Sequence, residues 1–216
     1  MLRPGGHPAG IQKWYDRLAA VVDQVKERLQ RKPVAQLARR SGCSLDTTGT
    51  LHLTYFWQEY RIGTPDLVVR HADTGQEATS FIQALLLSYL DKADNTPPSG
   101  QWIAYRDLPD GMFYANAFRG YAENELVRTL GDDGLEAFRR AAAPLSSWQL
   151  DLGSAGYAFQ VLPRVHLAAV YWQGDEDFGS QASILFEDTS PHYLSTDGLA
   201  VLGTHLVNAI TRTAHP

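Results

Sequence analysis

Cysteine is almost absent from this sequence, since Cys43 is the only one in 216 residues. A single thiol cannot form a disulfide within the chain, and it cannot supply the four thiolates of an iron–sulfur cluster or of a structural zinc site. We therefore expect no iron–sulfur cluster in this chain. Low cysteine usage also favours a reducing compartment.

Long apolar runs are absent as well. No stretch of the sequence approaches the roughly 20 apolar residues that a membrane-spanning helix needs. The opening residues Met1-Leu-Arg-Pro are not followed by the apolar segment of a secretory signal. We therefore expect a cytoplasmic protein that does not enter a membrane.

Several catalytic and binding motifs are missing too. The sequence contains no phosphate-binding Gly-Lys-Ser/Thr loop, no dinucleotide fingerprint, no His-Glu-x-x-His and no Gly-x-Ser-x-Gly nucleophile elbow. These absences remove the easily recognised enzyme classes and leave unfamiliar chemistry open.

One segment resembles part of a DNA-binding motif. Residues Val34–Ser44 look like the first helix and turn of a helix-turn-helix, but the continuation Leu45–Thr50 consists of turn residues that lead into a strand. The recognition helix that would enter the major groove is therefore missing. We do not expect DNA binding.

The residues that are present describe a globular chain. Hydrophobic residues make up 44% and charged residues 20% of the sequence, which is ordinary for a folded domain. Residues 1–42 carry nine Lys and Arg against three Asp and Glu, whereas residues 43–216 carry ten against twenty-one. We predict one domain over residues 1–216, with a basic helical arm (1–42) and an acidic body (43–216). The arm could dock an acidic protein partner or lie against its own domain.

Periodicity predicts the secondary structure. Thr74 and Glu77 have the spacing of a capping box before an apolar helix. Because strands and helices follow each other without regular βαβ alternation, we predict an α+β fold with a mostly antiparallel sheet of about five or six strands. The predicted helices are Ile11–Gln30, Val34–Arg40, an apolar helix through Phe81–Leu90, Phe113–Leu130, Leu135–Ala143 and an amphipathic C-terminal helix from Leu199 to Ile210. The predicted strands are Leu51–Ile62, Leu67–His71, Gln101–Arg106, Gly156–Leu162, Val165–Trp172 and Ala182–Glu187.

An acidic loop and a histidine form the first candidate site. The loop Gly174-Asp-Glu-Asp177 follows one predicted strand, and His192 follows the next. Carboxylates and an imidazole that converge can act as general acid and base or bind a divalent ion. The other interpretation is that the acidic residues are solvated turn residues and that His192 has a local structural role.

An aromatic segment with two arginines forms the second candidate. Arg106 and Arg119 could bind a carboxylate or phosphate, while Tyr105, Phe113 and Tyr114 supply an apolar wall. The other interpretation is an aromatic core with arginines paired to nearby acids.

The second half of the chain resembles a known family. The residues that carry the resemblance are Pro97-Pro-Ser-Gly-Gln-Trp-Ile-Ala-Tyr-Arg-Asp-Leu-Pro-Asp-Gly-Met-Phe-Tyr114, Ala117-Phe-Arg-Gly120, Pro163-Arg-Val165, Trp172-Gln-Gly-Asp-Glu-Asp-Phe178, Leu185-Phe-Glu187 and His192-Tyr-Leu-Ser-Thr-Asp197. From about Ala84 to Leu206 they resemble, in matching order, the family called domain of unknown function 3786. This family is associated chiefly with anaerobic bacteria and archaea, and some members labelled as iron–sulfur proteins carry a cysteine-rich segment before the shared domain.

The resemblance implies a shared domain that can bind something, with electron-transfer groups added in other members. The family-like polar residues here are Arg106, Tyr114, Arg119, Asp175, Glu176, His192 and Tyr193.

Three hypotheses about function follow. The first is an accessory domain that binds a small-molecule ligand in anaerobic cofactor or redox metabolism, with a pocket between the Tyr105–Arg119 segment and the loops carrying Asp175 and His192. The second is an enzyme in which Asp175 or Glu176 acts with His192 in acid–base or metal-assisted chemistry. The third is an adaptor that binds a protein partner through the basic N-terminal helix.

Overall fold

The computed structural model describes residues 22–131 and 133–214. Of the predicted helix Ile11–Gln30, residues 22–30 are helical (α1), and the rest of that prediction lies outside the described residues. Val25 and Leu29 are buried, as expected for the apolar face of an amphipathic helix. No helix within the described ranges combines the length and apolar character that a bilayer crossing requires.

The α+β prediction is confirmed: helices accompany two antiparallel sheets within the described residues. The described strands form a four-stranded and a five-stranded sheet. The sequence had predicted a single sheet of about five or six strands. The domain contains two compact units, and each unit holds one sheet. The first unit comprises residues 22–97, Leu162–Arg164 and His192–Gly198 of the described chain, and the remaining described residues form the second.

The first unit contains the four-stranded sheet, with strand order β1-β2-β3-β4. Its strands are β1 Ser44–Leu45, β2 Leu51–Tyr55, β3 Gln58–Gly63 and β4 Val68–His71. Alternate residues of β2 and β3 are buried, including Leu51, Leu53, Tyr60 and Ile62. This period of two leaves the opposite face of the sheet, the outer face, to polar side chains.

The prediction of one strand over Leu51–Ile62 is wrong in one respect. The chain reverses at Phe56 and Trp57, so that Tyr55 pairs with Gln58 and the segment forms a hairpin. Phe56 has a φ of 51°, a left-handed value that two-residue hairpins require. The aromatic residues at this turn hid it from sequence analysis, because turns are recognised by Gly, Asn and Asp.

Two helices complete this unit. Helix α2 (Val34–Ser41) follows Pro33 and ends at Gly42, whose φ is 75°, as predicted. Helix α3 (Ser80–Lys92) is apolar and mostly buried. The predicted capping box at Thr74 is wrong, because Thr79 caps this helix by accepting a hydrogen bond from the Ile82 amide at 3.4 Å.

The second unit contains the five-stranded sheet. Its strands are β5 Trp102–Ala104, β6 Trp148–Leu150, β7 Ala155–Leu162, β8 Val165–Trp172 and β9 Gln181–Glu187. They pair in the order β5-β9-β8-β7-β6. Strands β7, β8 and β9 lie within one residue of their predicted bounds. Most residues of β7 and β8 are buried, and β9 is buried at four of its seven residues.

The predicted helix Phe113–Leu130 changes its winding three times. It begins as a 3₁₀ turn (Gly111–Tyr114), continues as α4 (Ala115–Phe118), widens to a π-helical segment (Arg119–Glu123) and ends as α5 (Asn124–Leu130). Single π turns inside helices occur frequently at functional sites. Helices α6 (Gly134–Ala142) and α7 (Thr196–Ala214) agree with the predicted positions.

Candidate functional site

The acidic loop is an exposed turn capped by one of its own carboxylates. Asp175 Oδ1 accepts hydrogen bonds from the amides of Asp177 at 2.9 Å and Phe178 at 2.8 Å. These bonds lower the pKa of Asp175. Glu176 is exposed beside it. Asp175 thus has a local role in the turn, and metal binding by this loop stays a prediction.

His192 forms a pair with a carboxylate in the first unit. Its Nδ1 lies 2.6 Å from Asp94 Oδ2 and 3.2 Å from Thr96 Oγ1. Burial acts to raise the pKa of Asp94, but the hydrogen bonds from His192 and Thr96 outweigh it and bring the pKa to about 2. Because the carboxylate holds Nδ1, Nε2 is the ring nitrogen left for an external group.

Tyr193 is part of the core that anchors His192. Its ring is buried and stacks on Tyr89 with centroids 5.8 Å apart, and its hydroxyl donates to the carbonyl of Thr96. Tyr89 in turn donates to the carbonyl of Ser41 and accepts from the amide of Arg164. These contacts join the segments of the first unit around His192.

The aromatic segment with two arginines lies in the second unit. Tyr105 is buried and stacks on Phe118 at 4.3 Å, so it belongs to the core. Arg106 and Arg119 are exposed, and both act electrostatically on Glu123 of the π-helical segment. Burial raises the pKa of Glu123, and the Ile184 amide and the two arginines oppose that rise. This arrangement resembles the predicted alternative in which the arginines accompany a nearby acid.

The seven predicted site residues are divided between the two units. Tyr114 is exposed in the second unit with the two arginines and the acidic loop, whereas His192 and Tyr193 belong to the first unit. Their convergence on one ligand stays a prediction.

The basic arm is partly neutralised by its own unit. Arg28 and Lys32 both contact the carboxylate of Asp91, at 2.8 and 2.9 Å. Burial acts to raise the pKa of Asp91, but these two cations lower it overall. The described end of the arm therefore lies against its own domain, which was one of the two predicted possibilities.

Sequence analysis missed a groove on the outer face of the four-stranded sheet. Its volume is about 440 Å³, within the usual range for small-molecule sites. Strands β1, β2 and β3 and the loop after β1 form it. The lining residues are Ser44, Leu45, Asp46, His52, Leu53, Thr54, Glu59 and Tyr60.

A hydrogen-bonded aspartate holds the groove's imidazole. Asp46 Oδ1 accepts from the Thr48 amide (2.8 Å), the Thr48 hydroxyl (2.6 Å) and the Thr50 amide (3.0 Å), while Oδ2 lies 2.9 Å from His52 Nε2. The hydrogen bonds from Thr48, His52 and Thr50 lower the pKa of Asp46 well below its usual range. The spacing Asp-x-Thr-x-Thr-x-His was the sequence signal for this arrangement, since Asp and Thr form such turns.

A row of polar residues crosses the outer face beside the groove. Antiparallel pairing places Ser44 opposite His52, His52 opposite Arg61, and Arg61 opposite Arg70. Arg70 Nη2 contacts Glu77 Oε1 at 2.9 Å. Arg61 is exposed, and no acidic group of residues 22–131 or 133–214 forms an ion pair with it.

The second unit contains a buried acid–imidazole pair. The Glu187 side chain is 3% exposed, and its Oε2 lies 2.8 Å from His166 Nδ1. Glu187 Oε1 accepts from the Gly100 amide at 2.6 Å, and Trp148 packs edge-on against the His166 ring at 5.2 Å. His166 is thus a packed residue of β8. Within the described residues, no group of three or more His, Cys, Asp or Glu side chains has the arrangement of a metal site.

Comparison of the sequence with known proteins identifies a family. No curated protein and no solved structure shows significant similarity to the chain. The model of the family described as Domain of unknown function (DUF3786) matches residues 33–209, which extends the resemblance toward the N-terminus and covers both sheets. The chain therefore belongs to the DUF3786 family.

Proposed function

We propose that this protein is an accessory ligand-binding domain, and that it binds a polar small molecule in the groove around His52. The observation that carries the proposal is the groove itself, a cavity of about 440 Å³ lined by an oriented imidazole, hydroxyl groups and the two carboxylates of Asp46 and Glu59. Ligand sites are typically concave and present a few well-placed polar groups.

The imidazole of the groove is held in place before any ligand arrives. Asp46 fixes the ring of His52 through Nε2, which leaves Nδ1 as the nitrogen that can meet a ligand. Thr54 and Glu59 lie opposite each other on β2 and β3. The sheet fixes the positions of these residues, and the oriented ring of His52 loses little conformational entropy on binding.

The wider role is part of the proposal. The family resemblance supports a place in anaerobic cofactor or redox metabolism, and the sequence composition supports a cytoplasmic location. Neither inference uses the chemistry of the groove.

A screen of the full chain tests the ligand-binding function. We would measure Tm with a panel of polar metabolites, on the wild type, on Thr54→Trp, which fills the groove, and on Thr74→Trp, an exposed turn position in the same unit outside the lining. We expect a compound that raises the Tm of the wild type and of Thr74→Trp but not of Thr54→Trp. A compound that stabilises all three equally would bind elsewhere, and a panel without effect on the wild type would count against the proposal.

One observation favours a second candidate, an enzyme that uses His192. Asp94 holds Nδ1 of His192, which is the arrangement of a general base oriented by a carboxylate. The predicted contribution of Asp175 or Glu176 is not required for this pair. The test is to incubate every compound of the panel, whether or not it stabilises the protein, with wild type and with His192→Ala, and to follow the NMR spectra. Turnover by the wild type that His192→Ala lacks would support the enzyme, whereas a panel left unchanged by the wild type would contradict it.

A further inference from the structure

We propose that the ligand of the sheet face carries a phosphate ester, and that Arg61 binds the phosphate beside the groove. This inference rests on the proposed function, because it names the chemical class of the molecule that the same face would bind.

The sheet register brings Arg61 to the groove. Arg61 stands directly opposite His52, a lining residue, and opposite Arg70 on its other side. Opposed residues on one face of an antiparallel pair have Cβ atoms about 5 Å apart. A phosphate at Arg61 is therefore within reach of His52, while the rest of the same molecule lies in the groove.

One cation of this row has no acidic partner among the described residues. His52 contacts Asp46 at 2.9 Å and Arg70 contacts Glu77 at 2.9 Å. Arg61 lies between them and has no ion pair within the described part of the chain. Like charges placed directly opposite each other in a sheet are unfavourable. Glu77 already offsets the charge of Arg70, so an anion at Arg61 would complete the pairing of charges along the row.

The chemistry of the row suits phosphate. A guanidinium group donates two parallel hydrogen bonds to a phosphate, and such charge-assisted bonds are stronger than neutral ones. Ser44 at the end of the row adds a hydroxyl that can donate to a further oxygen.

The neighbouring carboxylate limits the size of the anion. Glu59 lies two residues before Arg61 on the same face of β3, about 7 Å away along the strand. It would repel a polyanion such as a nucleic acid, but it can accept hydrogen bonds from hydroxyl groups. The expected ligand is thus a small phosphorylated molecule with hydroxyl groups on its body.

Matched probes test this assignment. We would titrate the isotope-labelled full chain with inorganic phosphate, glycerol and glycerol 3-phosphate at low ionic strength, and follow the amide and arginine side-chain signals by NMR. The variants are Arg61→Gln and the control Arg39→Gln, which removes the same charge from an exposed site on α2. Unchanged amide signals away from the substitution would show that each variant is folded.

We expect inorganic phosphate to shift Arg61 and its neighbours, and glycerol 3-phosphate to shift the groove residues Ser44, His52 and Thr54 as well. Arg61→Gln should weaken the binding of inorganic phosphate and of glycerol 3-phosphate by about tenfold or more, because a charge-assisted contact is lost. Arg39→Gln should change the binding of both probes by less than about twofold, since Arg39 lies on α2, outside the polar row and the groove lining.

Three results would overturn the inference. If Arg61→Gln and Arg39→Gln weakened phosphate binding equally, binding would depend only on the net charge of the protein. Equal binding of glycerol 3-phosphate by wild type and Arg61→Gln would show that the groove binds but that Arg61 does not hold the phosphate. A lack of response to all three probes, together with a metabolite whose stabilising effect Thr54→Trp abolishes, would reject the phosphate class and leave the ligand-binding function intact.

Discussion

The buried pair of Glu187 and His166 gives the clearest stability prediction. Replacement of His166 by Ala leaves the Glu187 carboxylate, 3% exposed, with the Gly100 amide as its remaining donor. Removing one partner of a buried hydrogen bond typically costs about 1–3 kcal/mol, and more when the group left behind is charged. Glu187 keeps the Gly100 amide as a donor at 2.6 Å, so we expect His166→Ala to lower the unfolding free energy by about 3 kcal/mol. This loss is large, because the total unfolding free energy of most small proteins is only about 5–15 kcal/mol.

A second substitution should relieve part of this loss. In Glu187→Gln the neutral amide oxygen can still accept from Gly100, so this variant alone should cost about 1 kcal/mol. The double variant His166→Ala with Glu187→Gln no longer buries an unpaired carboxylate. We therefore expect it to be more stable than His166→Ala by about 1–2 kcal/mol. With single costs of about 3 and 1 kcal/mol, this corresponds to a coupling energy of about 2–3 kcal/mol, which residues in direct contact can show.

Urea unfolding followed by tryptophan fluorescence at neutral pH measures these differences, with Trp148 as a reporter 5.2 Å from the His166 ring. The matched control is His192→Ala, which breaks a similar pair with Asp94 at 2.6 Å, but with side chains 48% and 37% exposed. That exposed pair should contribute less than about 1 kcal/mol. The reasoning would be refuted if His166→Ala cost no more than His192→Ala, or if Glu187→Gln made His166→Ala still less stable.

Three further predictions concern other positions. A Cβ at Gly111 would lie 2.0 Å from the Tyr105 carbonyl oxygen, so Gly111→Ala should lower the unfolding free energy by about 1–3 kcal/mol. The control Gly120→Ala has open space around its Cβ and should not be destabilising. Urea unfolding of the two variants and the wild type measures the difference. Burial raises the pKa of the Cys43 thiol to about 11 despite its hydrogen bond with Ser41, so iodoacetamide at pH 8 should label it only in denaturant, as mass spectrometry would show. The pKa of Asp94 is about 2 in the folded protein, below its ordinary value of 3.8, so its stabilising contribution is present above about pH 4 and is lost as the pH falls toward 2. Asp94→Asn should flatten this part of the pH–stability profile, and an unchanged profile would contradict the assignment.

Sequence patterns predicted the elements whose cause is local. Strands β7, β8 and β9 are long apolar runs bounded by turn residues, and α2 lies between a proline and a glycine, so periodicity and turn chemistry were enough. The short strands β1 and β6 were missed. They have two and three residues, too few to show a period, and only their partner strands define them.

The predicted capping box shows where local patterns compete. Both Thr74 and Thr79 can cap a helix, and only tertiary contacts decide between them. Glu77, which would have completed the box, instead forms an isolated bridge with Arg70 and accepts from its guanidinium at 2.9 Å. Glu77 thus lies before the helix, which begins at Ser80.

The candidate sites depend on contacts between distant parts of the sequence. His192 was predicted because it precedes a helix in a connecting segment, and its role in a site stays a prediction. Its partner Asp94 precedes it by 98 residues, and no spacing rule reaches that far. The groove around His52 requires three strands to be aligned in register, which sequence patterns do not supply. The turn formed by Asp46 was the only part of the groove with a local signal.

The first unit is not continuous in sequence, and this affects how the protein is made and dissected. Leu162–Arg164 and His192–Gly198 belong to it together with the segment that ends at Pro97. A ribosome must therefore synthesise residue 193 before Tyr89 can stack on Tyr193, and residue 198 before the whole unit is present. A fragment that stops at Pro97 would contain the whole four-stranded sheet and its groove, but it would lack both later segments. Expression of this unit alone should therefore use a circularly permuted or linked design instead of a simple truncation.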